Sequence, residues 1–286
     1  MASISLLVAA LTHASAVAQG PCQFDSASLS FAGSPVEQAA CLLRQVDPGG
    51  KVAASPTTLP PVLSERIGGP IAITRSLLHQ YLAHLQLTQD AVGGSLDGDL
   101  SHAKDNASPV TAKYFVIHDT SSPNFGGMDH FPPNDASSLN LLAPYAGANA
   151  VAHVFVNRLG ASLLGHDFRT PWRATKLESS EYIGLPAKGL FLHVELLQPR
   201  RSDPSGPAGN DVLAPVPGFT EAQYNRLALI YVAASSRAGT WLIPAFHAAI
   251  DEGIPDGHDD PQHFDLDAFA RSLQSTLDAL QQYATQ

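Results

Sequence analysis

Three polar residues stand at or near the ends of otherwise apolar runs in this chain. His118 follows Tyr114-Phe115-Val116-Ile117, Glu195 lies towards the end of Leu190 to Leu197, and His247 follows Trp241 to Phe246. Strand ends that open onto loops are where α/β folds commonly place ligand-binding groups. Downstream of His247 comes Gly257-His258-Asp259-Asp260-Pro261-Gln262-His263-Phe264. Two well-separated histidines with a carboxylate from Asp259 or Asp260 make a neutral-imidazole and oxygen shell suited to zinc. Three protein ligands leave a fourth position for water, which marks a catalytic rather than a structural site. Such chemistry also needs a base, and Glu195 is the candidate. Spacing alone does not single out this set, because the chain has 12 histidines to combine.

The elements that must position these residues are readable from residue 113 onward. Tyr114 to His118, Val151 to Val156, Leu190 to Leu197 and Trp241 to Phe246 read as buried strands. Thr220-Glu221-Ala222-Gln223 is a capping box opening a helix with Tyr224, Leu227, Ala228 and Tyr231 on its apolar stripe, and Gly239 closes it. Asp265 caps a final helix that keeps the helical period through Leu266, Phe269, Leu273, Leu277 and Leu280. Strands alternating with helices predict an α/β domain. Upstream, Pro35 to Val46 reads as a short helix, Ser55 to Ser64 as a loop, Ile71 to Leu87 as an amphipathic helix, and Gly93 to Ala107 as a linker.

The chain has 286 residues, 26 acidic against 16 basic side chains and a formal net charge of −10. That balance excludes a protein that holds nucleic acid by its phosphates, which needs a basic face. No run approaches the ~18 uninterrupted apolar residues of a membrane span. Residues 1–18 have the outline of an export signal, with an apolar run from Ile4 to Leu11 and a small-x-small site at Ala16-Val17-Ala18. In an exported chain, a disulfide between the only two cysteines, Cys22 and Cys41, is the simplest expectation.

Four short segments, in order, carry a resemblance. Val116-Ile117-His118-Asp119-Thr120, Ala152 to Gly160, Leu192-His193-Val194-Glu195-Leu196 and Asp260-Pro261 together resemble the zinc-dependent type 2 N-acetylmuramoyl-L-alanine amidases, whose fold is shared with the peptidoglycan recognition proteins. The resemblance spans about residues 110 to 275. It implies an α/β fold with a central mixed β-sheet flanked by helices for a zinc amidase domain (105–286), and leaves the signal peptide (1–18) and an N-terminal helical extension (19–104), read from their own residues, outside it. It implies zinc ligands at His118, His247 and Asp260, with Glu195 as the group that activates water. His258 falls where family members carry a Lys or His that steadies the oxyanion. The substrate implied is the amide between the lactyl group of N-acetylmuramic acid and L-Ala, with peptidoglycan or muropeptides as partner and a periplasmic or secreted location. The alternatives are a peptidoglycan-binding protein without catalysis and a zinc hydrolase of another amide. One departure stands out: Trp172-Arg173-Ala174 replaces the Trp-His-Ala of many members.

The remaining histidines have plainer readings. His79 and His84 are five apart and do not share a helix face; His130, His166 and His263 fall in loops; His153 reads as a structural strand residue. His193 shares a strand face with Glu195, as a pocket wall or a core residue. Asp119 supports the metal shell or caps a turn. In the extension, Leu78, Leu82 and Leu85 are expected to pack onto the main domain, since an isolated helix of that length is marginal in water. The extension then either walls the groove or supports the domain away from the metal.

Overall fold

The computed structural model describes residues 20–103, 109–179, 187–207 and 209–285, so the expected signal at 1–18 lies outside the described residues. Two small hairpins come first: β1 (Phe24–Asp25) pairs with β2 (Ser30–Phe31), and β3 (Val46–Asp47) with β4 (Lys51–Val52). The central sheet comprises β5 (Tyr114–Asp119), β6 (Val154–Val156), β7 (Ser162–Leu164), β8 (Phe191–Leu196) and β9 (Ile243–Phe246), in the order β7-β6-β8-β5-β9. Strands β6, β8, β5 and β9 run parallel, and β7 adds an antiparallel edge. The fold is therefore mixed α/β, as the alternation of elements predicts. Strand β7 is too short and too plain in sequence to have been read.

Every residue of β5 and β8 is buried, so both faces of the sheet are covered. Alternate residues of β5 show what covers each face. Phe115 points to the Glu221–Ala238 helix, its ring centroid 5.2 Å from that of Tyr231. Tyr114 points the other way, 5.3 Å from Phe31 and 5.0 Å from Phe191. Its hydroxyl accepts the Phe31 N–H at 2.9 Å and donates to Gln38 Oε1 at 2.7 Å. The first thirty described residues are thus a layer on the sheet. The expected Cys22–Cys41 disulfide ties this layer together.

The flanking helices follow their caps. Thr220 and Gln223 form the capping box of the Glu221–Ala238 helix, and Gly239 ends it in the left-handed region at φ 75°. Asp265 caps the Leu266–Ala284 helix by accepting the Ala268 N–H at 2.9 Å. In the extension, the Pro35–Leu42 helix is shorter than expected, because the chain leaves it for the β3–β4 hairpin. The expected Ile71–Leu87 helix runs only Arg75–His84, started by Thr74, whose hydroxyl accepts the Leu77 N–H. It lies against the Glu221–Ala238 and Leu266–Ala284 helices.

Leu78 and Leu82 are buried, but Leu85 is 39% exposed, contrary to expectation. Leu85 is the C-cap, and the chain turns away at Gln86 with φ 56°. The expected linker is also corrected, since Leu96, Leu100 and Ala103 are buried in the shared core and 104–107 lie outside the described residues. Gly93 makes this route possible: with φ +97° it runs against Phe168, where a Cβ would lie 2.1 Å from the ring.

One apolar core runs from Phe24 through Leu78 and Val116 to Leu280. Leu78→Ala should therefore destabilise the whole chain by about 2–5 kcal/mol, in a single cooperative denaturant transition. A separate early transition, with the main one unchanged, would show that the extension folds by itself.

Candidate metal centre

Sheet register builds the site. His118 of β5 pairs with Glu195 of β8, and Glu195 with Phe155 of β6. On the other side Ile117 pairs with Phe246, so His247 emerges one residue beyond, beside His118. The expected base and two histidines thus form one row at the carboxyl ends of parallel strands, the usual ligand position in such sheets. His247 also begins the short His247–Asp251 helix. Asp260 arrives from the loop that follows and lies against the same point, with its carbonyl accepting the Ala248 N–H at 2.8 Å.

Three ligand atoms converge there. His118 Nδ1 and His247 Nδ1 are 2.7 Å apart, and Asp260 lies 3.0 Å from His247 Nδ1 and 3.8 Å from His118 Nδ1. A tetrahedral shell with bonds of ~2.0–2.1 Å has edges of about 3.3 Å, so the cradle fits a zinc-sized ion. Asp259 is not a member: its carboxylate accepts from Gln262 Nε2 at 2.9 Å.

The outward atoms of the imidazoles explain why both Nδ1 atoms face inward. His118 Nε2 contacts His193 Nδ1 at 3.0 Å, and His193 Nε2 lies 3.1 Å from Glu178 Oε2. The contact is not aligned as a hydrogen bond, but the Glu178 charge at this distance favours the proton on His193 Nε2. His193 Nδ1 then accepts the Nε2–H of His118, and a lone pair is left on His118 Nδ1. His247 Nε2 lies 3.1 Å from Asp251 Oδ2, again out of line for a hydrogen bond, and the Asp251 charge acts on it in the same way. Two lone pairs and a carboxylate meeting at one buried point require positive charge.

The electrostatics agree. Burial and the neighbouring His247 hold His118 well below the ordinary imidazole range. Burial would also push His247 down, but Asp260 and Asp251 on either side outweigh it and raise it to about 10. A proton on His247 answers this demand in part; a divalent cation satisfies all three inward atoms at once.

The supporting groups are buried and bonded. Asp251 accepts the Lys176 and Leu177 N–H groups, each at 3.0 Å, and Nδ1–H of His258 at 2.8 Å. Its grouping with His247 and His258 is therefore an orienting shell, since its oxygens are already occupied. Asp119 both caps a turn, accepting the Ser121 N–H at 2.8 Å, and supports the metal loop. Its backbone N–H donates to Asp260 Oδ2 at 3.0 Å, while its carboxylate accepts from Arg200 at 2.8 Å and from the Gln262 N–H at 3.1 Å.

Glu195 Oε1 is 4.0 Å from His118 Nδ1, and its buried Oε2 has no hydrogen-bond partner. Burial, then the Asp260 carboxylate, raises its pKa well above the carboxylate range. Glu195 lines a cleft of about 420 Å³ together with His247, His258 and Asp260. His258 is half-exposed and its ring stacks on His247 at 3.9 Å. Clefts of similar size, about 420 and 480 Å³, flank the Glu221–Ala238 helix, but neither is lined by a histidine.

Of the other histidines, His193 is fully buried beneath His118 and does not line the cleft. His153 just precedes β6 and is structural, with Nδ1 accepting the His193 N–H and Nε2 facing the Thr170 carbonyl. Glu178, Asp251 and Arg200 were not read from sequence. Asp251 had a signal, four residues after His247 and so on one helix face; Glu178 had none. No protein-family model matches the sequence, and neither curated proteins nor solved structures yield a match.

Glu178→Gln should weaken zinc binding about 10- to 100-fold, the usual effect of losing an outer carboxylate, as measured by competition with a chromophoric chelator. Unchanged affinity in a folded variant would show that the His193–Glu178 pair does not orient His118.

Proposed function

We propose that this chain is an exported zinc-dependent N-acetylmuramoyl-L-alanine amidase. The observation that carries the reading is the cradle of His118, His247 and Asp260 beside an unpartnered, buried Glu195 carboxyl in one cleft. The ordered segments that resemble the type 2 amidases supply the substrate class. A module that only held muropeptide would have no use for a proton-transfer group poised over a three-ligand cradle.

When bound, zinc supplies Lewis-acid polarisation of the scissile carbonyl and lowers the pKa of water. Glu195 takes a proton from water as its oxygen attacks the lactyl carbonyl carbon. It then delivers that proton to the nitrogen of L-Ala as the C–N bond breaks, leaving a carboxylic acid and an amine. A carboxyl with a raised pKa suits a group that must hold the proton between these events. His258, anchored through Nδ1 to Asp251, lines the cleft and is the group assigned to stabilise the oxyanion.

Glu195→Ala should retain one zinc per chain by elemental analysis and lose about 100- to 10,000-fold in turnover, read by mass analysis of digested muropeptides. Chelation should abolish wild-type cleavage and zinc restore it. Wild-type activity in Glu195→Ala would remove Glu195 from the mechanism, and a fully active zinc-free preparation would remove the metal.

A further inference from the structure

Among the described residues Arg173 is the only Lys or Arg lining the cleft, and no hydrogen bond or ion pair engages it. Its Nε is buried and unpartnered. Of the carboxylates sharing the cleft, Asp119 is committed to Arg200, Asp259 to Gln262 and Asp260 to His247, and Glu195, though unpartnered, makes no hydrogen bond or ion pair with Arg173. An unpaired guanidinium nitrogen away from water is costly, and the nearby acids do not relieve it. Its neighbour fixes its setting. Trp172 Nε1–H donates to the Val151 carbonyl at 2.7 Å, and its ring stacks on His166 at 3.8 Å. The backbone on the other side is also anchored, since the Ala174 and Thr175 N–H groups donate to Glu178. Arg173 is thus a cation held between two fixed residues with its planar donor fork unused, the geometry that suits a carboxylate.

We infer that Arg173 is a specificity residue that binds a carboxylate on the substrate. This rests on the amidase reading for which side carries it. In an N-acetylmuramoyl amide the lactyl carboxyl is consumed in the scissile bond, so the sugar side is neutral there and the carboxylate belongs to the peptide. The enzyme then selects anionic peptides despite its own net charge of −10. The Trp172-Arg173-Ala174 segment is, on this account, a change of selectivity.

The test uses two probes: N-acetylmuramoyl-L-alanyl-D-glutamate, and its twin with both carboxylates converted to carboxamides. The zinc-loaded wild type should prefer the carboxylate probe by about 10- to 100-fold in kcat/KM, the range for a hydrogen bond to a charged group. Arg173→Gln should bring the probes to near parity by lowering kcat/KM for the carboxylate probe about 10- to 100-fold more than for the carboxamide twin. Arg173→Lys should keep part of the preference. Because Arg173 has no hydrogen-bond or ion-pair partner among the described residues, the variants should melt with the wild type. Binding of both probes to Glu195→Gln, followed by calorimetry, separates recognition from chemistry. Carboxylate-selective binding that depends on Arg173, without cleavage by wild type, would remove the amidase reading and leave this inference standing. Equal handling of the two probes by wild type, in both cleavage and binding, or an undiminished preference in Arg173→Gln, would overturn it.

Discussion

Two buried imidazoles whose Nδ1 atoms lie 2.7 Å apart are stable only if something fixes where their protons go. That constraint organises much of the structure around it. His118 is held from behind by His193 and Glu178, and His247 by Asp251. Both supports return to one short segment. The Lys176–Ser179 helical turn carries Glu178, and its first N–H groups hold the Asp251 carboxylate. Exposed amides at a helix start favour a carboxylate, so one turn serves both outer acids. The same stretch begins with Trp172 and Arg173 in the cleft wall, so the wall and the acids that orient the two histidines share one backbone segment.

The N-terminal layer has a related task. It lines none of the cleft among the described residues, so it is a support and not a wall. It braces the loop that brings Asp260. Arg44 pairs with Glu252 just after the His247–Asp251 helix, and the Val46 carbonyl accepts the His263 N–H. Gly50, at φ +75°, lies so close to Asp259 that a Cβ there would sit 2.5 Å from the Asp259 Cβ. The loop is thus pinned on both sides of Asp260, once by this layer and once by the N–H of Asp119. A ligand on a long loop needs such pinning to hold its position to within about 0.5 Å.

What was legible in the sequence followed from local physics. His118, Glu195 and His247 were visible because a polar residue near the end of a buried strand has few uses, and parallel register then set them in one row. The Thr220–Gln223 and Asp265 caps were visible because each uses a side chain three residues from its target. Leu85 and the expected linker at 93–107 misled for the converse reason. Helical spacing does not reveal that Gln86 turns the chain, and a Gly- and Ser-rich composition does not reveal that Gly93 is clearing space for Phe168. Glu178 was invisible because its partner is fifteen residues away in sequence and meets it only through the tertiary fold.

The charge distribution gives the cradle its meaning. Five carboxylates, those of Asp119, Glu178, Glu195, Asp251 and Asp260, are buried in and around it, and Arg200 is the buried guanidinium that pairs with one of them. Carboxylates removed from water are unfavourable unless hydrogen-bonded or neutralised. Asp251 and Glu178 satisfy that through backbone N–H groups, and Asp119 through Arg200. Asp260 and Glu195 are left facing the cradle, and His247 responds by gaining proton affinity. An apolar core would be simpler and more stable here than this arrangement, so stability alone does not account for it. The excess negative charge is concentrated where three ligand atoms meet, and Glu195 faces that point from the cleft with an unpartnered oxygen.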